Sequence, residues 1–238
     1  MKVRYILPFL LWCVLYSLSG QPKLTTGTPE SAGMLSEHLN LMDGVIQEYV
    51  ENDWIPGGVF LVARKGKIVY FKTFGNKSDK PKDAYQKDDI FRIASMTKAV
   101  TTVSIMQLYE QGKLRLDDPV SDFIPAFSKM NVLESVNPSD STYTSVEANQ
   151  RITIRHLLTH TSGITYGNEE DLGKVHAKAE LPRAGLSSKD WTSEEFVNRL
   201  AALPLAFQPG EKYGYGLNMD VLGRVVEVVS GQSLNEYF

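Results

Sequence analysis

The spacing of apolar residues predicts a first helix that Ser36 caps and that Pro56-Gly57-Gly58 ends. The apolar positions of this helix are Leu39, Met42, Ile46, Tyr49 and Val50. Residues 59–63 then form a continuous apolar run, which predicts a central strand, and residues 68–71 predict a second strand. Because a tight turn at residues 64–67 joins the two strands, we expect a helix followed by a β-hairpin.

A second apolar segment surrounds Ser95. The sequence predicts the end of a strand at residues 91–94, an N-cap serine at Ser95, and a helix that Gly112 ends. This helix carries apolar residues around most of its circumference, at Met96, Ala99, Val100, Val103, Met106 and Tyr109. We therefore expect protein to surround it on nearly all sides.

The remaining pattern is mainly helical. The predicted elements are, in order, a short helix ending near Pro125, a polar surface loop over residues 135–150, a short helix with a glycine turn over residues 154–163, a loop over residues 166–189, a helix from Thr192 or Ser193 to Leu203, a helix from Met219 to Ser230 closed by Gly231, and a helix starting at Ser233.

The number of strands is too small for an independent sheet. A two-stranded hairpin is not stable alone in water, and no further strand is evident after Ile154. The sequence also ends at Phe238, in the second turn of a predicted helix. We therefore expect an incomplete domain, and residues 21–238 alone are expected to aggregate through an open sheet edge and to be inactive.

Composition narrows the class of protein. The 238 residues allow one large domain or two small ones, and a hydrophobic fraction of 42% is sufficient for a buried core. The formal net charge is −3, with acidic and basic residues interspersed. This balance argues against a nucleic-acid partner.

The N-terminal residues have the pattern of a signal peptide. Lys2 and Arg4 precede an apolar core at residues 5–18, and Ser19-Gly20 offers small residues for cleavage. We therefore predict a signal peptide over residues 1–20 and export to the periplasm or the extracellular space. The alternative is an uncleaved signal anchor, and in either case the leader is the only predicted membrane contact.

A linker rich in Thr, Gly, Pro and Ser follows the leader at residues 21–34. Cys13 is the only cysteine, and it lies inside the leader. The processed chain would therefore have neither an internal disulfide nor a thiol nucleophile.

Ser95 and Lys98 are the main candidates for chemistry. Because they are three residues apart, their side chains are expected to share one face of the first helical turn. A serine hydroxyl beside a lysine amine, at the positive end of a helix dipole, can act as an activated nucleophile. The sequence Ser95-Met96-Thr97-Lys98 fits the S-x-x-K nucleophile motif.

Four stretches resemble the serine β-lactamase and penicillin-binding protein superfamily. They are Arg92-Ile93-Ala94-Ser95-Met96-Thr97-Lys98, Gly112-Lys113-Leu114 through Asp117-Asp118-Pro119-Val120, His156-Leu157-Leu158-Thr159-His160-Thr161-Ser162-Gly163, and Pro209-Gly210 followed by Tyr215 and Asp220-Val221-Leu222-Gly223. The resemblance is to the class C β-lactamase-like branch, which includes D-alanyl-D-alanine carboxypeptidases and family VIII esterases.

The resemblance implies an α+β fold, in which an α/β sandwich is joined to an all-α subdomain. It covers residues 35–238, with a helix and hairpin of the sheet half at residues 35–94 and a mainly helical part at residues 95–238. It implies a serine hydrolase that forms an acyl-enzyme and acts on a small-molecule ester, amide or peptide without a cofactor. A catalytically silent binding or scaffold protein that uses the same cleft is the alternative function.

The same resemblance assigns roles to three residues. Ser95 resembles the acyl-forming nucleophile, Lys98 the lysine that shares its proton, and Tyr215 the tyrosine that faces both. Burial is expected to lower the pKa of Lys98, and the neighbouring ammonium to lower the pKa of Tyr215. Either Lys98 or Tyr215 can be the base, since the two groups share one proton. The resemblance implies an oxyanion hole made of the Ser95 N–H and a donor from a later strand.

Two departures from the family pattern concern the substrate. The family often has an amide-binding asparagine two residues after the tyrosine, where this chain has Leu217, and Asn218 comes one residue late. Leu217 and Asn218 are therefore the candidate substrate-binding residues, with Leu217 as an apolar wall that favours simple esters. The family's third motif, on a strand that lines the site, is absent from this sequence.

Other motifs are given structural interpretations. His156 and His160 have the spacing of a zinc helix, but Leu157 stands where a metalloprotease has its glutamate, so we expect capping and no metal. Ser162 lacks a G-x-S-x-G context and is interpreted as part of a turn that shapes the cleft. Gly214-Tyr215-Gly216 lacks the third glycine of a dinucleotide loop, so no cofactor is expected. Tyr213 is interpreted as a core residue.

Overall fold

The computed structural model describes residues 23–78, 83–182 and 190–238. The predicted leader, including Cys13, lies outside these residues, as does the stretch 183–189 of the loop predicted at residues 166–189. Contacts divide the chain into two compact units, with the boundary between Arg92 and Ile93. Among the described helices, none has both the length and the apolar composition that a membrane span requires.

The first unit consists of one helix and a three-stranded sheet. Its elements are β1 (Thr25–Thr26), α1 (Ser36–Glu51), β2 (Gly57–Arg64) and β3 (Lys67–Gly75). The strand order is β1-β3-β2, with β1 parallel and β2 antiparallel to β3. The hairpin is confirmed, but among the described residues β3 is the middle strand and β2, which was predicted to be central, lies at an edge.

The hairpin turn follows from local backbone preferences. Lys65 and Gly66 both have positive φ, at 50° and 73°, which is the requirement of a type I′ turn. Leu39 of α1 packs on Val69 and Tyr70 of β3 in a small apolar core. The helix begins at Ser36 without a side-chain cap, because Leu35 occupies the capping position. The prediction that Ser36 is the cap was therefore wrong.

Part of the predicted linker is folded onto this unit. The N–H of Thr25 donates to the carbonyl of Gly66 at 3.1 Å, and the N–H of Gly27 donates to Ile68 at 3.0 Å. A 3₁₀ turn over Glu30–Ala32 then buries Ala32 completely. Backbone pairing with β3 therefore orders a stretch whose composition alone indicates a loop.

The second unit is mainly helical. Its elements are α2 (Thr97–Glu110), β4 (Asn131–Val136), β5 (Tyr143–Glu147), α3 (Ile154–Leu158), α4 (Glu170–Lys178), α5 (Ser193–Ala201), α6 (Asn218–Ser230) and α7 (Leu234–Tyr237). Side chains of α2, α3, α5 and α6 form one continuous core. Short 3₁₀ turns over Val120–Asp122 and Pro125–Ser128 replace the helix predicted before Pro125.

Three helix ends in this unit agree with the sequence signals. Thr153 caps α3 and Thr192 caps α5, each by accepting a backbone N–H three residues later. Gly231 ends α6 in the left-handed conformation, with φ of 73°. The predicted caps at Thr192 and Gly231 are therefore confirmed.

Two predicted loops contain regular structure. The stretch 135–150 was predicted to be a loop, but β4 and β5 pair there as an antiparallel hairpin. The second predicted loop, 166–189, contains α4, whose apolar face buries Leu172 and Val175. Tertiary packing overrides weak local preference in both places, since β5 has mostly exposed side chains and α4 has a glycine in its interior.

Helix α2 is buried on one face only. Thr101, Ser104, Ile105 and Leu108 are buried, whereas Val100 and Val103 on the opposite face are exposed. The expectation of a helix surrounded on nearly all sides was therefore wrong for the described structure. The apolar pattern was misleading because the core-facing positions include a threonine and a serine.

Candidate active site

The backbone that carries Ser95 is strained. Ala94 has φ of 45°, in a region that residues other than glycine seldom adopt, and it starts a 3₁₀ turn over Ala94–Met96. Residues 91–93, directly before Ala94, do not form the predicted strand end, and Met96, not Ser95, occupies the capping position of α2. The N-cap prediction for Ser95 was therefore wrong. The turn instead leaves Ser95 exposed, two residues before the first residue of α2.

The structure brings Ser95, Lys98 and Tyr215 together. The Nζ of Lys98 lies 3.2 Å from the Oγ of Ser95, and the hydroxyl of Tyr215 lies 3.1 Å from the same oxygen. The amine of Lys98 also lies over the Tyr215 ring, 4.9 Å from its centroid. The serine hydroxyl therefore contacts two groups that can accept or donate a proton.

Tyr166 is a fourth member of this cluster that the sequence reasoning missed. Its hydroxyl accepts a hydrogen bond from the Lys98 amine at 3.2 Å, and its ring packs edge-to-face on Tyr215 with centroids 5.6 Å apart. Tyr166 follows the turn at Gly163, where no spacing rule assigns chemistry. The available signal was that Tyr166 lies in a stretch without helical or strand periodicity, so the pattern did not assign it to the core.

The electrostatics of the cluster favour a charged lysine. Burial lowers the pKa of Lys98, but its interactions with the hydroxyls of Tyr215 and Tyr166 outweigh burial, so the pKa lies above the ordinary lysine value. Hydrogen bonds with Ser95 and then with Lys98 lower the pKa of Tyr215. The prediction that the pKa of Lys98 is lowered was therefore wrong, and the prediction that the pKa of Tyr215 is lowered is confirmed.

An open pocket of about 500 Å³ lies beside the cluster. Ser95, Lys98, Tyr166, Tyr215, Met219 and Asp220 contribute to its walls. Burial raises the pKa of the Asp220 carboxyl to about 6, although a backbone N–H and the charge of Lys98 act in the opposite direction. The pocket therefore holds a carboxyl group that changes charge near pH 6.

Leu217 and Asn218 do not line this pocket. Leu217 is fully buried in the helical core, and Asn218 is fully buried at the start of α6. Substrate contact was predicted for both, and the structure corrects this because the chain turns inward directly after Tyr215. The interpretation of Leu217 as an apolar wall for esters is corrected with it.

The two histidines and Ser162 are structural in this arrangement. His156 completes the cap of α3, and the ring of His160 contacts the Asn218 amide at 2.9 Å. Ser162 is fully buried and donates to the Asn218 carbonyl oxygen at 2.6 Å. Within the described ranges, no cluster of three or more potential ligands is suited to a metal ion. Tyr213 is 65% exposed, so the prediction that it is a core residue was wrong.

Comparison with known proteins agrees with this geometry. The family model of β-lactamase matches residues 42–238. The chain is 34% identical over 193 residues to esterase EstB of Burkholderia gladioli, covering 81% of this chain and 46% of that protein. It is 33% identical over 199 residues to the lovastatin esterase of Penicillium rubens, covering 82% and 48%.

A solved structure has a similar fold. EstCE1, described as a hydrolase with promiscuous acyltransferase activity, superposes with a TM-score of 0.70 at 30% identity, covering 84% of this chain and 49% of that one. This similarity confirms the predicted α+β fold class. The chain spans about half the length of the curated relatives that it matches.

Proposed function

The chain belongs to the β-lactamase family, and from this premise we propose that the complete protein is a serine hydrolase acting on small carboxylic esters. The observation that carries the proposal is the cluster in which Ser95 lies 3.2 Å from Lys98 and 3.1 Å from Tyr215. Ser95 is the nucleophile that receives the acyl group. Water then releases the acid and regenerates the serine.

Tyr215 is the base that receives the serine proton in this proposal. The raised pKa of Lys98 keeps the amine protonated, and the lowered pKa of Tyr215 makes its phenolate more accessible near neutral pH. Lys98 then stabilises the phenolate and, after proton transfer, orients the tyrosine hydroxyl. The proton subsequently passes to the leaving alcohol, whose departure completes the acyl-enzyme.

Esters are the proposed substrate class because of the relatives and not because of Leu217. EstB and the lovastatin esterase are esterases by description, and EstCE1 is a hydrolase that also transfers acyl groups. The pocket beside Ser95 is mainly aromatic and aliphatic, which suits an uncharged acyl chain. Acyl transfer to an alcohol is the second candidate activity, and the EstCE1 description favours it.

Export is a separate proposal. It is supported by the composition of residues 1–20, where Lys2 and Arg4 precede an apolar core and small residues follow it. The predicted site is the periplasm or the extracellular space. N-terminal sequencing of the protein recovered from its native cells tests this, because removal of the leader would leave a new terminus near Gln21.

The test of the hydrolase proposal uses the full-length protein, meaning the complete polypeptide that carries this sequence. A fluorophosphonate probe should label Ser95, and Ser95→Ala should abolish both labelling and hydrolysis of p-nitrophenyl butyrate. Ser104→Ala is the matched control, because Ser104 lies on α2 and donates to the Val100 carbonyl inside the helix. Labelling that survives Ser95→Ala would contradict the assignment.

A chromogenic cephalosporin distinguishes the substrate classes. We expect kcat/KM for p-nitrophenyl butyrate to exceed that for the cephalosporin by at least about tenfold, since EstB and the lovastatin esterase are described as esterases and differential transition-state binding sets this ratio. The reverse order would mean that the protein is primarily a β-lactamase. Loss of both activities in a folded protein would favour the silent binding protein.

A further inference from the structure

The loop that carries Tyr215 is held by His160 on two sides. The N–H of Gly214 donates to the His160 carbonyl oxygen at 2.8 Å, and the imidazole packs on the Tyr215 ring with centroids 4.8 Å apart. His160 is itself buried, with φ of 55°. One residue therefore contacts both the backbone before Tyr215 and the ring of Tyr215.

The imidazole is also bonded to the residue that follows the loop. Asn218, at the start of α6, uses its carbonyl oxygen to accept the Ser162 hydroxyl at 2.6 Å. Its amide nitrogen contacts the Ile164 carbonyl and the Nδ1 of His160, both at 2.9 Å. Because the amide donates to both, Nδ1 must be an acceptor, so the ring is neutral with its proton on Nε2.

Close backbone packing removes the remaining freedom of the loop. A Cβ on Gly216 would lie 2.4 Å from the Cα of Thr165 and 2.6 Å from the carbonyl oxygen of Ile164. Only glycine allows this approach. The backbone on either side of Tyr215 is therefore fixed to the segment that contains His160.

The surroundings of the ring favour its neutral form. Burial lowers the pKa of His160, and the positive charge of Lys98 on α2 lowers it further. The other ring neighbours are Tyr213 and Tyr215 from the loop and the Asn218 amide from α6. A proton on Nδ1 would face the Asn218 amide hydrogens and would break the bond to α6.

We propose that His160 is a positioning residue for the hydrolysis reaction, which holds the Tyr215 hydroxyl against Ser95 by joining the loop at residues 214–216 to the start of α6. This inference rests on the proposed role of Tyr215 as the base. Since the phenol lies 3.1 Å from the serine oxygen, a displacement of about 1 Å would remove the hydrogen bond and could cost on the order of 10²-fold in rate.

His160→Asn is the test variant. Asparagine tolerates the positive φ of this position and keeps the backbone bond to Gly214, but it lacks the ring that packs on Tyr215. We expect kcat for p-nitrophenyl butyrate to fall about 10- to 100-fold, with KM changed less than about threefold. The second readout is the pH–rate profile. Its rising limb should move to higher pH in the variant, because a displaced Tyr215 loses the hydrogen bonds that lower its pKa.

His156→Asn is the matched control. It removes a histidine four residues earlier, whose ring accepts the Thr153 N–H in the cap of α3 and does not contact Tyr215. It should lower the melting temperature while leaving kcat within about threefold of wild type. Equal losses of kcat in both variants, or an unchanged kcat and pH profile in His160→Asn, would overturn the proposal.

A measurement on the unsubstituted protein covers the case in which His160→Asn does not fold. Imidazole ¹⁵N resonances of His160 should show the Nε2–H tautomer, and the ring should stay neutral below the pH at which a free imidazole is protonated. A proton on Nδ1, or titration near pH 6.5, would overturn the proposal because the bond to Asn218 could not form. Absence of ester turnover in the wild-type protein would instead contradict the proposed function, and the resonances would still test His160.

Discussion

Two polar clusters in the second unit differ in whether the donor and acceptor roles of their hydrogen bonds are fixed or exchangeable. In the buried cluster, formed by His160, Ser162 and Asn218, each donor has one acceptor and no role can be exchanged. In the proposed catalytic cluster, formed by Ser95, Lys98, Tyr166 and Tyr215, the Oγ of Ser95 faces two proton-bearing groups at 3.1 and 3.2 Å. There the proton positions are interchangeable.

This difference fits a structural role for the buried cluster and a role in acyl transfer for the cluster at Ser95. Fixed donors and acceptors make a buried network stable and well ordered, since any unpaired member would cost free energy. Exchangeable protons are what an acyl-transfer site requires, because the serine must lose its proton and the leaving group must gain it. The ring contact between His160 and Tyr215 connects the two clusters.

After Ser95→Ala, the largest expected effect comes from removing the charge of the proposed catalytic cluster. Lys98→Ala should reduce kcat of the full-length protein by about 10² to 10⁴, because the Tyr215 phenolate loses the ammonium that stabilises it. The rising limb of the pH–rate profile, which reports deprotonation of Tyr215 in this proposal, should also move to higher pH. The reason is that Lys98 helps to lower the pKa of Tyr215. Steady-state hydrolysis of p-nitrophenyl butyrate between pH 6 and 10 measures both quantities.

Lys178→Ala is the control for loss of a lysine elsewhere in the unit. The amine of Lys178 donates to the Asp140 carbonyl near the β4–β5 turn and is outside the catalytic cluster. It should leave kcat and its pH profile as in the wild type. A folded Lys98→Ala protein with near wild-type turnover would mean that the base and its stabilising charge lie elsewhere.

A smaller effect, and one of a different kind, is expected from the buried cluster. Ser162→Ala leaves the Asn218 carbonyl oxygen and the Ile164 N–H without their present partner. The free energy of unfolding should decrease by about 1–3 kcal/mol, with less than about a tenfold change in kcat. Urea denaturation followed by circular dichroism measures the first quantity and ester hydrolysis the second.

Ser104→Ala provides the comparison for Ser162→Ala. Ser104 is equally buried, but its hydroxyl only adds a bond to the Val100 carbonyl within α2, so its loss should be less destabilising. If the two variants had the same free energy of unfolding, the buried cluster would stabilise the fold no more than the single bond within α2 does. A loss in kcat as large as that of Lys98→Ala would make Ser162 part of the chemistry.

The sequence predicted which residues meet at the Ser95 hydroxyl better than it predicted the walls of the surrounding pocket. Ser95 and Lys98 are three residues apart, and this local spacing brings their side chains together on a helical turn. Tyr215 was placed by its motif, 120 residues away from Ser95. Tyr166 has no such motif, and only the three-dimensional path of the chain after Gly163 brings it to Lys98.

The errors arise where tertiary packing decides. Leu217 and Asn218 were assigned from motif spacing, but the direction of a side chain after a glycine depends on how Gly216 packs on Thr165. The helix caps at Thr192 and Gly231 follow from neighbouring residues, and their predictions are confirmed. The same local signal was wrong at Ser36 and Ser95, where the helix begins one or more residues away from the predicted position relative to the cap. The β4–β5 hairpin was missed because β5 has few buried residues.

The last expected effect concerns stability alone and involves Asp220, whose carboxyl lies in the pocket wall. Burial raises its pKa to about 6 in the folded protein, so folding favours the protonated form. This contribution to stability is complete below the unfolded pKa near 3.8 and is lost as the pH rises through about 6. Wild-type protein should therefore become less stable relative to Asp220→Asn between pH 4 and pH 7.

Melting temperatures across this range provide the measurement for Asp220→Asn. The difference between variant and wild type should increase in favour of the variant with rising pH, because asparagine has no charge to desolvate. Asp122→Asn, which removes an exposed carboxyl 3.8 Å from Arg151, controls for the loss of an acidic side chain as such. If the Asp220→Asn and wild-type curves ran parallel from pH 4 to pH 7, the carboxyl would be hydrated or paired in solution. The pocket would then be more polar than its aromatic walls indicate, and charged substrates would enter it more readily than the proposed uncharged esters.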